Sequence, residues 1–348
     1  MKPKWSASFQ IAAVYVGTVV GAGFATGREI VEFFTRFGFI GLIGIGISGS
    51  LLIYLGSKLL RMAATVGAHS YQEFNEYLFG RIFGRVINML TLLMLLGVCA
   101  VMLSGAGAVF QEQLQLPKIL GVVVTIILSL LVLVIGMKGL FVVNVVVVPM
   151  MISFSFILMV KSVALPGFSE QLMMIPFQAD GWKAVVSPFS YAAFNLFLAQ
   201  AVLVPVANEI NDDLTLKWGG IIGGIALTSI LICGHFSLIM LPQFESFEVP
   251  MAVIVKNIAA VFYWIYVMVI YGEIFTSVIG NVFGLERQLQ NYVTLPSLVI
   301  ISGIFLSCYF VSLVDYGELL SYLYPLFGYL SLAFIVLLWM KPLIRDQR

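Results

Sequence analysis

Between Val16 and Glu29, an apolar stretch with the length and character of a membrane-spanning helix carries four glycines, at positions 17, 21, 23 and 27. Each glycine in a helix interior costs about 1 kcal/mol relative to alanine, so the cluster favours local unwinding. Unwound backbone at that depth is tolerated only where it faces protein or an aqueous cavity. The run Val20-Gly21-Ala22-Gly23-Phe24-Ala25-Thr26-Gly27 therefore points to a solute site inside the bilayer. The competing reading is a glycine-lined contact between unbroken helices. Against it, Thr26 and Glu29 have the spacing of a capping box, which belongs at the start of a new helix. Gly21 and Gly23 are expected to take positive-φ conformations at the gap. The free N–H groups near Gly21, Ala22 and Gly23 would suit a carboxylate.

The remainder of the chain sets the environment. Of 348 residues, 61% are hydrophobic and 10% charged, with a mean hydropathy of +1.06, against about 25% charged residues in soluble domains. This is the composition of a polytopic membrane protein. The net charge of +1 and the lack of a basic tail give no footing for nucleic acid, so the expected partners are the lipid bilayer and a small-molecule substrate. Cys99, Cys233 and Cys308 lie in apolar stretches, where free cysteine packs as a small hydrophobe. The opening Met-Lys-Pro-Lys-Trp leads directly into hydrophobic sequence, and no removable signal peptide is expected. No His-Glu-x-x-His motif occurs, no aspartate falls in an expected span, and His69 and His235 are far apart in sequence. Enzymatic metal chemistry is disfavoured, and no cofactor is expected beyond a coupling ion.

Runs near the ~20 residues that cross the hydrocarbon place spans at about 8–36, 38–60, 82–110, 118–137 and 139–161, then 184–208, 217–240, 257–282, 293–313 and 317–340. The even number puts both termini on one side. That side holds Lys2, Lys4, Arg61, Arg81, Arg85, Lys138, Lys217, Arg287, Lys341, Arg345 and Arg348, the richer set of positive charges, and is predicted to be cytoplasmic. Pro166, Pro176, Pro242 and Pro250 punctuate two outer connections at 162–183 and 241–256. The second, with Glu245 and Glu248, reads either as a lid or as an ordinary surface loop. A shift of 180 residues lays Phe9 on Phe189, Ala12-Ala13 on Ala192-Ala193 and Glu29-Ile30 on Glu209-Ile210. It pairs span one with span six, as a five-plus-five inverted repeat requires.

Arg28, Glu32 and Arg36 recur every four residues, so they can form a ladder of ion pairs. The functional reading is an outer gate of Arg28 and Glu32 closing toward Asp315 or Glu318. Span six carries Asn195 and Gln200, amides that can bond a solute or neighbouring helices. It has no glycine at this level, and a second helix break there is inferred from symmetry. In span eight Glu273, Thr276 and Ser277 share a helical face. An intramembrane glutamate is by default functional, and pairing with Lys256 or Arg287 is its structural alternative. His235 reads as a packing residue, and Ser104 is the best polar candidate of span three.

With these residues assembled, the chain resembles the YkvI-like amino-acid permeases of the amino acid–polyamine–organocation superfamily, which share the LeuT fold. The resemblance spans essentially the whole chain and is most specific at Val20–Gly27. It implies that the backbone at Gly21, Ala22 and Gly23 holds a substrate carboxylate. Phe275-Thr276-Ser277 is similar to the helix-eight segment whose Thr-Ser pair binds sodium, which would add carbonyls of Gly17, Val20 and Glu273. The helix-six motif departs from the pattern: at Phe197-Leu198-Ala199-Gln200 the glycine is missing and an amide replaces the acid. Helix five lacks the interior lysine of proton-coupled relatives, which favours sodium, while Glu273 keeps a proton in contention.

The expectation is thus an all-α polytopic membrane protein of the plasma membrane, one domain over 1–348. Ten transmembrane helices would form a LeuT-like 5+5 inverted repeat, about 8–161 and 184–340, with helices 1 and 6 discontinuous. The expected activity is secondary active transport of amino acids or similar carboxylate-bearing solutes, with sodium favoured over proton. Gly21, Ala22, Gly23, Phe24, Ser104, Asn195, Phe197 and Gln200 would line the solute site. The alternatives are a nucleobase or organic-cation transporter, or a sensor that keeps a transporter-like pocket.

Overall fold

The computed structural model describes residues 3–135, 138–175, 181–290 and 292–343. Lys2, Pro176, Arg345 and Arg348 lie outside the described residues, as do the side chains of Lys138 and Arg287. The helices are α1 (Trp5–Val19), α2 (Ala22–Thr26), α3 (Arg28–Phe33), α4 (Phe39–Val66), α5 (Tyr71–Phe79), α6 (Arg81–Ala108), α7 (Lys118–Ile135) and α8 (Lys138–Val163). They continue with α9 (Phe168–Met173), α10 (Gly181–Ile210), α11 (Asp213–Leu238), α12 (Pro250–Ile258), α13 (Tyr263–Gln290), α14 (Ser297–Ser312) and α15 (Tyr316–Met340). Among the described residues no strand occurs. Among the described residues six segments, containing α4, α6, α10, α11, α13 and α15, are long and apolar enough to cross a membrane. The described parts of α7 (Lys118–Leu133) and α8 (Pro149–Val163), and α14 (Ser297–Ser312), are apolar as well.

The first predicted span is not one helix. Its opening element α1 has 15 residues, roughly 22 Å at 1.5 Å per residue, too short for the ~30 Å hydrocarbon core. What fixes α1 is close packing against α11, with Tyr15 reaching across to α4. The Tyr15 hydroxyl donates to the Leu52 carbonyl at 3.0 Å, and its ring lies where a Cβ on Gly56 or Gly223 would stand. Gly219 likewise makes room for Ile11. The same device joins α4 to α11: a Cβ on Gly220 would lie 2.5 Å from the Ser57 Cα, and one on Gly224 2.6 Å from the Ile53 Cα. Without a hydrophobic drive between helices in lipid, such close approach supplies the association. With α10, which packs on both α4 and α1, these helices form a bundle around the broken segment.

Helix six departs from expectation. The helix α10 runs unbroken from Gly181 to Ile210, with Pro188 and Pro205 inside it, so the discontinuity inferred from symmetry is absent. The reason is local: Phe197-Leu198-Ala199-Gln200 has no residue that makes unwinding cheap, and Pro205 forfeits one helical N–H without ending the helix.

The connection 239–249 is strapped across the end of the bundle that the charge pattern predicts to face outward. The Arg28 Nη1 donates to the carbonyls of Glu245 and Phe247 at 2.5 and 3.1 Å. The carboxylate of Glu112 accepts from the N–H groups of Glu248 and Val249 at 2.8 and 3.0 Å. Glu248 Oε2 in turn accepts from the Gly317 N–H, at the start of α15, at 2.5 Å. Burial raises the Glu248 pKa, against the opposing pull of the Gly317 N–H and the Arg28 charge.

Replacing Gly224 by valine should destabilise the protein by about 1–3 kcal/mol through overpacking against Ile53. A Gly46→Ala variant, whose added Cβ meets nothing within 4 Å, should melt as the wild type does. Thermal unfolding in detergent measures both. A carboxyl whose pKa is raised in the closed strap binds its proton more tightly there than when solvated. Its contribution to closure is complete below the ordinary glutamate pKa and is lost as pH rises through the raised one. Hydrogen exchange over 240–250, corrected for intrinsic rates, should therefore accelerate with rising pH, and Glu248→Gln should flatten that dependence.

Candidate functional site

The break lies where the glycines place it. The helix α1 stops at Val19, Val20 (φ −74°, ψ 108°) and Gly21 (φ −126°, ψ −165°) are extended, and α2 begins at Ala22. Both extended residues are buried. Neither Gly21 nor Gly23 adopts the expected positive φ. That conformation falls on Gly27 (φ 83°), which makes a second bend between α2 and α3.

Exposed peptide groups result on both sides of the gap. Gly17, Thr18, Val19 and Val20 end α1, and their carbonyls accept no backbone N–H among the described residues. The N–H groups of Gly21 and Gly23 likewise meet no backbone carbonyl there. The Ala22 N–H is directed at the Met102 Sδ of α6, 3.2 Å away. A thioether is a weak acceptor, so this bond is easily exchanged for a stronger one. Phe24 is buried, and its N–H returns to the Gly21 carbonyl at 3.1 Å.

The capping box does not form. Thr26 Oγ1 bonds the Gly23 carbonyl at 3.2 Å and shares a hydrogen with the Tyr316 hydroxyl at 2.9 Å. Glu29 folds back beside Gly23 instead, with Oε2 2.6 Å from the point a Cβ on Gly23 would occupy. Its Oε1 accepts from Asn195 Nδ2 of α10 at 3.3 Å. The bend at Gly27 turns α3 away from the axis of α2, so the residue spacing of an unbroken helix start no longer applies. A carboxylate read as a structural cap is thereby a buried group at the site.

Across the gap stands α13. The Ser277 Oγ is 3.4 Å from where a Cβ on Gly21 would be, and Thr276 Oγ1 donates to the Glu273 carbonyl at 3.1 Å. The Glu273 carboxyl is fully buried and neither oxygen has a hydrogen-bond partner among the described residues. Lys256, a considered partner, lies over the Tyr263 ring instead. Gln200 of α10 is buried with neither amide atom partnered among the described residues, and Phe197 packs edge-on against Phe334 at 5.3 Å. Ser104 is engaged elsewhere, donating to the Val314 carbonyl at 2.8 Å.

The ion pairs of this region differ from the expected ones. Arg36 pairs with Glu32 at 2.7 Å, and Glu32 also accepts from Ser321. Arg28 leaves the ladder for the strap, Asp315 pairs with Lys118 at 3.2 Å, and Glu318 is exposed. The bend at Gly27 swings Arg28 toward the carbonyls of 245 and 247, so Arg28 pairs with neither Asp315 nor Glu318. His235 is buried with Nδ1 on Thr35 Oγ1 at 3.2 Å, a packing role. Sequence reasoning missed Met102, Tyr191, Tyr316 and Tyr324. No polar spacing marks a methionine, and tyrosines in apolar runs read as core.

No family model matches the chain. Among solved structures it is similar to the manganese transporter of Eremococcus coleocola, with TM-score 0.67 at 16% identity over 95% of this chain and 78% of that one. It is also similar to MhsT in complex with L-phenylalanine, with TM-score 0.66 at 14% identity over 91% and 81% of the two chains. Inward-facing Mhp1 gives TM-score 0.62 at 12% identity over 95% and 75%. These likenesses establish the LeuT fold. In sequence, the chain is 21% identical over 342 residues to the uncharacterized protein YyaD of Bacillus subtilis, covering 98% of each. It is 49% identical over 345 residues to the uncharacterized membrane protein YkvI of the same bacterium, covering 99% of this chain and 98% of that protein, and so belongs to the YkvI family of multi-pass membrane proteins.

Proposed function

We propose that the protein is a secondary active transporter that carries an amino acid, or a similar small carboxylate-bearing solute, together with sodium by alternating access. One observation carries this reading: at Val20–Gly21 the chain gives up helical hydrogen bonds inside a buried core and leaves peptide N–H groups with weak partners or none among the described residues. A solute carboxylate would replace the Met102 sulfur on the Ala22 N–H and take up the amides of Gly21 and Gly23. The opposite lip of the gap supports a small hard cation. Carbonyls of Gly17 and Val20 face no helical N–H, and the hydroxyls of Thr276 and Ser277 sit on α13, with Ser277 beside Gly21. Oxygen ligands of this kind suit an alkali cation. Of the LeuT-fold neighbours, one is by name a manganese transporter and another holds L-phenylalanine. Among the described residues no three His, Cys, Asp or Glu side chains gather as metal ligands, so the amino-acid comparison is the better guide to cargo.

Coupling follows if ion and solute together favour one access state, since a ligand shifts an equilibrium only by its differential affinity for the two states. A second reading, an organic cation as cargo, is favoured by the buried carboxyl of Glu273, which has no partner among the described residues. Binding without flux in proteoliposomes would instead indicate a sensor.

Melting of the purified protein with each of the twenty amino acids, in sodium or potassium chloride, tests the reading, because a ligand that binds only the folded state raises its stability. Stabilisation should require an amino acid and sodium together. Thr276→Ala should weaken the apparent sodium affinity at least about tenfold, the scale of losing one interaction with a charged partner. Full sodium dependence in that variant would contradict the ion site.

A further inference from the structure

Glu29 is a carboxylate 3% exposed, and none of the ion pairs among the described residues includes it. Its neighbour Arg28 is committed to the strap. Burying such a group without a counter-charge is costly, so its surroundings bear on what neutralises it. Asn195 fixes Oε1, and is itself held by donating to the Tyr191 carbonyl at 3.1 Å. Oε2 is left against the backbone of Gly23, at the edge of the gap. Three tyrosines from α10 and α15 belong to the same surroundings: Tyr191 lies one turn before Asn195, Tyr324 packs its ring on Phe194 beside Asn195, and Tyr316 reaches Thr26. Tyr316 is occupied by Thr26. The hydroxyls of Tyr191 and Tyr324 are buried, at 0% and 1% exposure, and have no partner among the described residues.

A bound proton would neutralise Glu29 but would leave both hydroxyls without a donor. A primary ammonium brings one positive charge and three N–H donors. One carboxylate oxygen and two hydroxyl oxygens would accept them, with the Tyr324 ring backed by Phe194 at 4.7 Å and the Tyr191 ring by Phe34 at 4.9 Å. Aromatic faces add to the attraction for a cation.

We propose that Glu29, Tyr191 and Tyr324, with Asn195 as the positioning residue, form a subsite for the protonated amine of the transported solute. The inference rests on the reading of the gap as the solute site and adds the end of the solute opposite its carboxylate. It makes Glu29 the residue that distinguishes amines from simple carboxylic acids.

The test compares wild type, Glu29→Gln and Tyr324→Phe in sodium chloride by thermal shift and equilibrium binding. The probes are the twenty amino acids, the deaminated acid matching the best of them, and three amines without a carboxylate: isopentylamine, phenethylamine and putrescine. Glutamine keeps the acceptor that Asn195 uses, so the variant should fold. Tyr324→Phe gives an independent readout that leaves the carboxylate untouched. Glu29→Gln should weaken binding of the best amino acid at least about tenfold, the effect of one charged hydrogen bond, and leave the deaminated acid unchanged. Tyr324→Phe should weaken the amino acid by a smaller factor and also spare the deaminated acid. Amino-acid binding that is equal in wild type and Glu29→Gln, or lost in parallel with that of the deaminated acid, would overturn the subsite and leave the transporter reading standing. Binding of the amines alone, dependent on Glu29, would support the subsite and overturn the amino-acid cargo. If no amine-bearing probe binds the wild type, both fall.

Discussion

Peptide groups that lack a helical partner in a water-poor core are the constraint on which the rest of this structure depends. Each is tolerated only if protein, a solute or an ion satisfies it. Here the first segment breaks at Val20 and Gly21, and the surrounding elements converge on that gap: Met102 from α6, Ser277 from α13, and Glu29 folded back from α3. The glycines of α4 and α11 serve the same end at a distance. By letting Tyr15 and Ile11 pack without clearance, they hold α1 in place so that its free carbonyls stay at the gap.

Two carboxyls are buried on different elements around the broken segment. Glu273 lies on α13, which packs on α2, while Glu29 lies on α3, which packs on α10 and α15. The strap over 239–249 closes one end of this arrangement through Arg28, Glu112 and Glu248, joined by the Arg36–Glu245 ion pair at 3.8 Å. Arg28 and Glu112 bond backbone groups of the strap, so the charge spacing of α3 alone could not reveal them.

Much of this was legible in the chain. Apolar runs of spanning length marked the long helices, because lipid enforces length and hydropathy together, and the glycine cluster located the break. The failures have identifiable physical causes. Thr26 and Glu29 have capping-box spacing, yet the left-handed Gly27 separates them, while the equivalent pair Ser70 and Glu73 does cap α5. Internal symmetry argued for a broken helix six, but α10 contains no glycine at the matching level and stays helical. Ser104 had the right chemistry and depth, but a carbonyl on the segment before α15 claims it. Met102, Tyr191 and Tyr324 could not be told from core residues until the fold brought them to the gap.

The most direct measurement is magnetic resonance of protein labelled at Val20, Gly21 and Ala22 and reconstituted in lipid, reading backbone carbon chemical shifts. Extended, non-helical values are expected at Val20 and Gly21, and helical values at Val16 and Phe24. Helical shifts running without interruption from Val16 to Phe24 would contradict the break.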